Sequence, residues 1–150
     1  MTSRLVYDED ERILPWAAKI IGINGFRSDA KAIGLERDGE LEGCVVFDTF
    51  SVDECHMHVA SISNGKWMTR GFLRAVFAYP FIQCGFLRVT VPVAEANKRA
   101  RVFVMNLGFK LEGYHSNGIE GGAYLTHGMT RFACRWIPEN AKHIRQADNG

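Results

Sequence analysis

The feature that most constrains this chain is a strand–helix–strand run in its middle. Residues 54–62 alternate: Cys55, Met57 and Val59 fall on one side of an extended chain, and Glu54, His56 and His58 on the other. Residues 69–83 carry Phe72, Leu73, Val76, Phe77 and Phe81 at helical spacing. Thr69 is placed to cap the amino end, Pro80 to kink the helix and Gly85 to end it. Residues 86–93 are again rich in β-branched side chains. Two strands joined by one helix lie side by side in parallel with a right-handed crossover, so a sheet built of hairpins alone is excluded.

The flanking segments supply the rest of a mixed sheet. Residues 4–7 read as a strand, followed by a short helix that ends over 17–21 at Gly22, with Pro15 better suited to a first turn than to the interior. Residues 32–37 and 40–50 flank Asp38-Gly39, a pair suited to a type I′ hairpin turn. Residues 97–107 form a second amphipathic helix closed by Gly108, with Ala100, Phe103, Val104 and Leu107 inward. Residues 109–114 and 123–129 form two last strands around a glycine-rich loop at 115–122. The expected order is strand, helix, three strands, helix, strand, helix, two strands: a mixed α/β fold, largely antiparallel, in one domain over residues 1–150.

Composition narrows the function classes. A formal net charge of +1 argues against a nucleic-acid partner, which calls for a strongly basic face. Cys44, Cys55, Cys84 and Cys134 are too scattered for a disulfide framework or a zinc ribbon. No metal is expected, since Cys55 points away from His56 and His58 and no further ligands stand nearby. No apolar run approaches the roughly 18–20 residues that span a bilayer, so the expectation is a cytoplasmic protein with no membrane partner.

The segment Asn97-Lys-Arg-Ala100 through Leu107-Gly108-Phe109 to Glu112-Gly113 resembles the closing motif of the GNAT N-acetyltransferase superfamily. The resemblance spans residues 33–129. It looks nearest to the ribosomal-protein acetyltransferase branch and to short acetyltransferase-like proteins of bacteriophages. It implies a central, mostly antiparallel twisted sheet of about six or seven strands with a splayed parallel pair and about three or four flanking helices. It also implies an enzyme that moves an acetyl group from acetyl-CoA to an amine acceptor: a protein N-terminus, a lysine or a small molecule.

By the same resemblance, the backbone of Val59, Ala60 and Ser61 holds the pantetheine arm, and the loop from Asn64 through Lys66 and Trp67 to Thr69 and Arg70 meets the pyrophosphate at a helix start. Asn97 bonds the arm or a strand carbonyl, and Arg101, or Lys98 and Arg99, meets the phosphates. The family's phosphate loop uses small residues where this chain has Trp67 and Thr69, and Val104 stands where many members keep a tyrosine acid, leaving Tyr114 as a substitute. Direct attack on a thioester needs a proton acceptor. The resemblance places it on the strand that carries the family's bulge; His58 stands nearest the implied acyl position, with Glu54 and His56 behind it. The second expectation is a catalytically silent member of the same fold, acting as a binding or structural module. The apolar end at Phe132, Ala133, Trp136 and Ile137 either caps the core or pairs two subunits into a homodimer.

Overall fold

A computed structural model describes residues 2–62 and 67–143. The expected order of elements is found: β1 (Ser3–Val6), α1 (Asp10–Ile21), β2 (Lys31–Arg37), β3 (Glu40–Asp48), β4 (Glu54–Ser61), α2 (Arg70–Ala78), β5 (Arg88–Ala94), α3 (Lys98–Leu107), β6 (Lys110–Ile119) and β7 (Gly122–Thr130). The strands form one sheet, ordered β1-β2-β3-β4-β5-β7-β6, in which β4–β5 is parallel and every other neighbouring pair antiparallel.

Local chemistry explains the boundaries. Asp38 and Gly39 both have positive φ, 53° and 88°, as the type I′ turn between β2 and β3 demands. Thr69 Oγ1 accepts from the Phe72 N–H at 3.1 Å, capping α2, and Asn97 Oδ1 caps α3 through the Ala100 N–H at 3.2 Å. Pro80 has no N–H for the carbonyl four residues back. The helix therefore widens into a π-helical turn over Tyr79–Gln83, where the Cys84 N–H reaches the Tyr79 carbonyl at 2.9 Å.

Two expectations are corrected. Pro15 lies inside α1, because the helix starts at Asp10, whose carboxylate accepts from the Ala32 N–H at 2.9 Å and ties the start to β2. The bond that Pro15 forfeits would have gone to the carbonyl of Glu11, an exposed residue. The glycine-rich loop at 115–122 is mostly strand. β6 continues to Ile119, helped by His115 stacked on Tyr124 across the hairpin at 4.4 Å, and shifts register before the turn.

The sheet is packed on both sides around β3, which is why Val45-Val46-Phe47 reads as an unbroken apolar run. Val45 and Phe47 join Met57, Phe72, Val76 and Phe77 in the core under α2, to which Val104 and Leu107 of α3 also belong. Cys44 and Val46 face the opposite way and pack with Ile13 and Ala17 of α1 and with Ala60. The side of β4 that alternation marks as polar is thus partly roofed by α1.

Candidate active site

The site begins with a defect in the sheet. β4 and β5 pair only through Glu54↔Arg88, Cys55↔Val89 and His56↔Thr90, although β4 continues to Ser61 and β5 to Ala94. Backbone parity shows what faces the gap. The Asp53 carbonyl accepts from the Arg88 N–H at 3.3 Å, whereas the Ile62 N–H donates to Glu42 of β3 at 3.1 Å. Odd-numbered peptide groups of β4 therefore turn toward β5, and those of Val59 open into the gap. On β5 the Leu87 carbonyl accepts from Arg131 (2.8 Å) and the Glu95 N–H donates to Ala123 (3.0 Å), so odd-numbered groups there face β7 and even-numbered ones face β4. The next N–H toward β4 after Thr90 would belong to residue 92, which is proline and has none. β4 itself keeps an unbroken register against β3, from Asp48↔His56 to Gly43↔Ser61. The bulge implied by the resemblance is absent from that pairing; Pro92 supplies the break instead.

The gap widens into a cleft of about 710 Å³. Its walls are residues 58–62 of β4 and its end, residues 91–94 of β5, Ile20 and Ile21 of α1, and Asn97, Arg99, Phe103 and Val104 at and along α3. α1 and α3 pack on opposite sides of the sheet, so the cleft is walled from both faces.

Of the residues singled out from the sequence, His58, Val59, Ala60, Ser61, Trp67 and Asn97 meet in this cleft. Trp67 is 1% exposed and turns inward. Its indole lies on Gly43 of β3, where an added Cβ would fall 2.7 Å from three ring atoms, and its ring centroid is 5.0 Å from that of Phe72. It walls the cleft without closing it. Thr69 and Arg70 stand at the start of α2 and are not part of the cleft wall. Arg101 donates through Nη1 to the Glu95 carbonyl at 3.2 Å, and Arg99 is the α3 cation on the wall. Glu54 and His56 lie at the closed end, where Thr90 Oγ1 donates to Glu54 Oε1 at 2.9 Å and burial lowers the His56 imidazole below its ordinary value. Tyr114 is 60% exposed on β6 and outside the cleft wall. Asn64 and Lys66 lie outside the described residues.

Sequence reasoning missed Asp48. Its Oδ1 lies 3.0 Å from His58 Nε2 and accepts from Thr49 Oγ1 at 3.1 Å. Burial pushes this carboxyl up, but the His58 hydrogen bond and charge, with help from Thr49 and His56, outweigh it and hold the group below its usual value. In sequence Asp48 is only the polar end of an apolar strand. The pairing Val46↔His58 makes it the diagonal neighbour of His58, and that register is a tertiary fact.

The thiols offer no nucleophile. Burial pushes Cys44 up to about 12 and also raises Cys55, Cys84 and Cys134. Among the described residues, no three His, Cys, Asp or Glu side chains group as a metal ion would require, and no helix is long and apolar enough to cross a membrane.

Solved structures share this architecture. The spermidine/spermine N-acetyltransferase SpeG from Vibrio cholerae, in mutant form, superposes with a TM-score of 0.68 at 14% identity, covering 86% of this chain and 92% of that one. An N-acetyltransferase from Staphylococcus aureus Mu50 gives 0.67 at 13% identity, covering 87% and 99%. The yncA protein from Salmonella typhimurium, solved with its cofactor acetyl-CoA, gives 0.62 at 12% identity, covering 87% and 94%. No family model matches the chain, and no curated protein matches it in sequence. The chain has the fold of the GNAT N-acetyltransferases, a mixed α/β sheet with one parallel pair.

Proposed function

We propose that the protein transfers an acetyl group from acetyl-CoA to a primary amine by direct attack in a ternary complex. The observation that carries this reading is the open end of β4–β5, with the Val59 peptide facing a gap that Pro92 leaves unpaired. An extended, amide-bearing arm such as pantetheine suits that gap as an added strand, held by the odd-numbered backbone groups of Val59 and Ser61, with Asn97 at the α3 start beside it; the Ala60 groups, expected from the sequence to share this role, turn to Cys44 of β3 instead. The amino end of α2, capped by Thr69 and flanked by Arg70, together with Arg99, suits the phosphates, because a helix start and cations both favour an anion. The Val59 N–H is the donor placed to polarise a thioester carbonyl. His58 takes the proton of the attacking amine.

The acceptor is a primary amine on a protein N-terminus, a lysine or a small molecule.

Acetyl-CoA titrated into the protein should release heat and raise the melting temperature. Neither effect at millimolar ligand would leave a folded scaffold without enzymatic chemistry, the reading that Trp67 and Thr69 in the phosphate loop and Val104 in place of a tyrosine favour. His58→Ala should lower kcat by about a hundredfold, the scale of general-base catalysis, while acetyl-CoA affinity changes by less than about twofold. Equal turnover in the two proteins removes His58 from the mechanism.

A further inference from the structure

We infer that Asp48 is a positioning residue for the transfer step, fixing the tautomer and orientation of His58 so that Nδ1 is the nitrogen that receives the amine proton. This rests on the acyl-transfer reading above and adds to it a residue that touches neither substrate.

The geometry sets Asp48 apart from the other structural aspartates. Asp10 and Asp29 each tie two segments through a backbone N–H, Ala32 at 2.9 Å and Phe50 at 3.3 Å, and their side-chain partners, Lys31 at 3.7 Å and Arg27 at 3.4 Å, are exposed surface cations. Asp48 is 5% exposed, and its hydrogen bonds go to two side chains, the neighbouring Thr49 hydroxyl and the imidazole on the cleft wall. A carboxylate only accepts, so the hydrogen in the 3.0 Å contact sits on His58 Nε2. In the neutral ring Nδ1 then carries no hydrogen and is the accepting nitrogen. The Phe26 ring, centroid 5.9 Å away and tilted by 50°, packs beside the imidazole and limits its rotation. Acyl-transfer triads use the same division of labour, in which a buried acid holds the ring and stabilises the imidazolium without taking its proton.

The step balances without another reactant. The amine nitrogen attacks the acyl carbon, a C–N bond forms and the C–S bond breaks. The amine proton moves to Nδ1, producing an imidazolium opposite the Asp48 carboxylate. That proton then passes to the departing thiolate, leaving an amide, a thiol and a neutral ring. The return of the proton through His58 fits a cleft wall where Val104 lies and no described tyrosine does.

A double-mutant cycle with acetyl-CoA and a primary amine, read alongside imidazole nitrogen NMR, tests the inference. Wild-type protein should show His58 as the Nε2–H tautomer, and Asp48→Asn should lose that bias. Asp48→Asn should lower kcat by about tenfold or more with KM for acetyl-CoA unchanged, and should cost nothing further in a His58→Ala background, because the two residues act as one unit. An Nδ1–H tautomer in the wild type, wild-type kcat in Asp48→Asn, or the same loss in both backgrounds overturns the role of Asp48 while leaving acyl transfer standing. Absence of transfer by the wild type overturns the underlying reading itself. An Nδ1–H tautomer in the wild type would overturn the role even if Asp48→Asn does not fold.

Discussion

The two ends of the β4–β5 pair are built from the same two strands and behave oppositely. At the closed end, Arg88 and Thr90 of β5 are latched to their neighbours: Thr90 to Glu54 at 2.9 Å, Arg88 to Thr90 at 3.3 Å, and Arg88 across to Glu112 of β6 in an ion pair. A few residues on, the strands part, and the polar latch gives way to Val59, Pro92 and the indole of Trp67. A gap in a sheet thus needs no missing residues: the ladder ends where the next donor is absent, and an aromatic side chain walls the opening.

Substitutions that attack the two ends separately sharpen this contrast. The largest effect is expected for Trp67→Ala, which empties the wall of the open end. Loss of a fully buried aromatic costs about 3–5 kcal/mol, measured by urea denaturation, and a loss under about 1 kcal/mol would show that the indole is not part of the packed core. Pro92→Val comes next. It restores an N–H facing β4, so that amide should become protected from hydrogen exchange and acetyl-CoA affinity should fall by about tenfold, the worth of roughly one net hydrogen bond. Unchanged affinity with a protected amide would mean that the gap does not hold the acyl donor. The smallest effect belongs to Gly128→Ala at the closed end. The Arg88–Glu112 pair lies over Gly128, so a methyl group there displaces both side chains. The pair is partly exposed, and the expected cost is under about 1 kcal/mol with no change in KM. A large loss of acetyl-CoA binding would show that the two ends are coupled.

Much of the fold was legible residue by residue. Thr69 and Asn97 announced helix starts, Asp38-Gly39 a turn and Gly108 a helix end, because each works through groups no more than a few residues away. Half of the cleft was legible too, since consecutive residues such as His58, Val59, Ala60 and Ser61 travel together wherever the strand goes. Of the cations named on α3, Arg99 reaches the wall and Arg101 turns to the Glu95 carbonyl, because two residues along a helix turn a side chain through slightly more than a half-circle. The role of Trp67 was hidden because the glycine that accommodates it, Gly43, is on another strand.

The sequence by itself determined the order of the elements, their caps and the parallel pairing of β4 with β5, since these follow from side-chain period and from chemistry within a turn or two. Only the tertiary structure decided that Pro92 faces β4, that Trp67 folds onto Gly43 and that Asp48 meets His58. Each of those depends on strand register, and a shift of one residue would send the same side chain or donor to the opposite face.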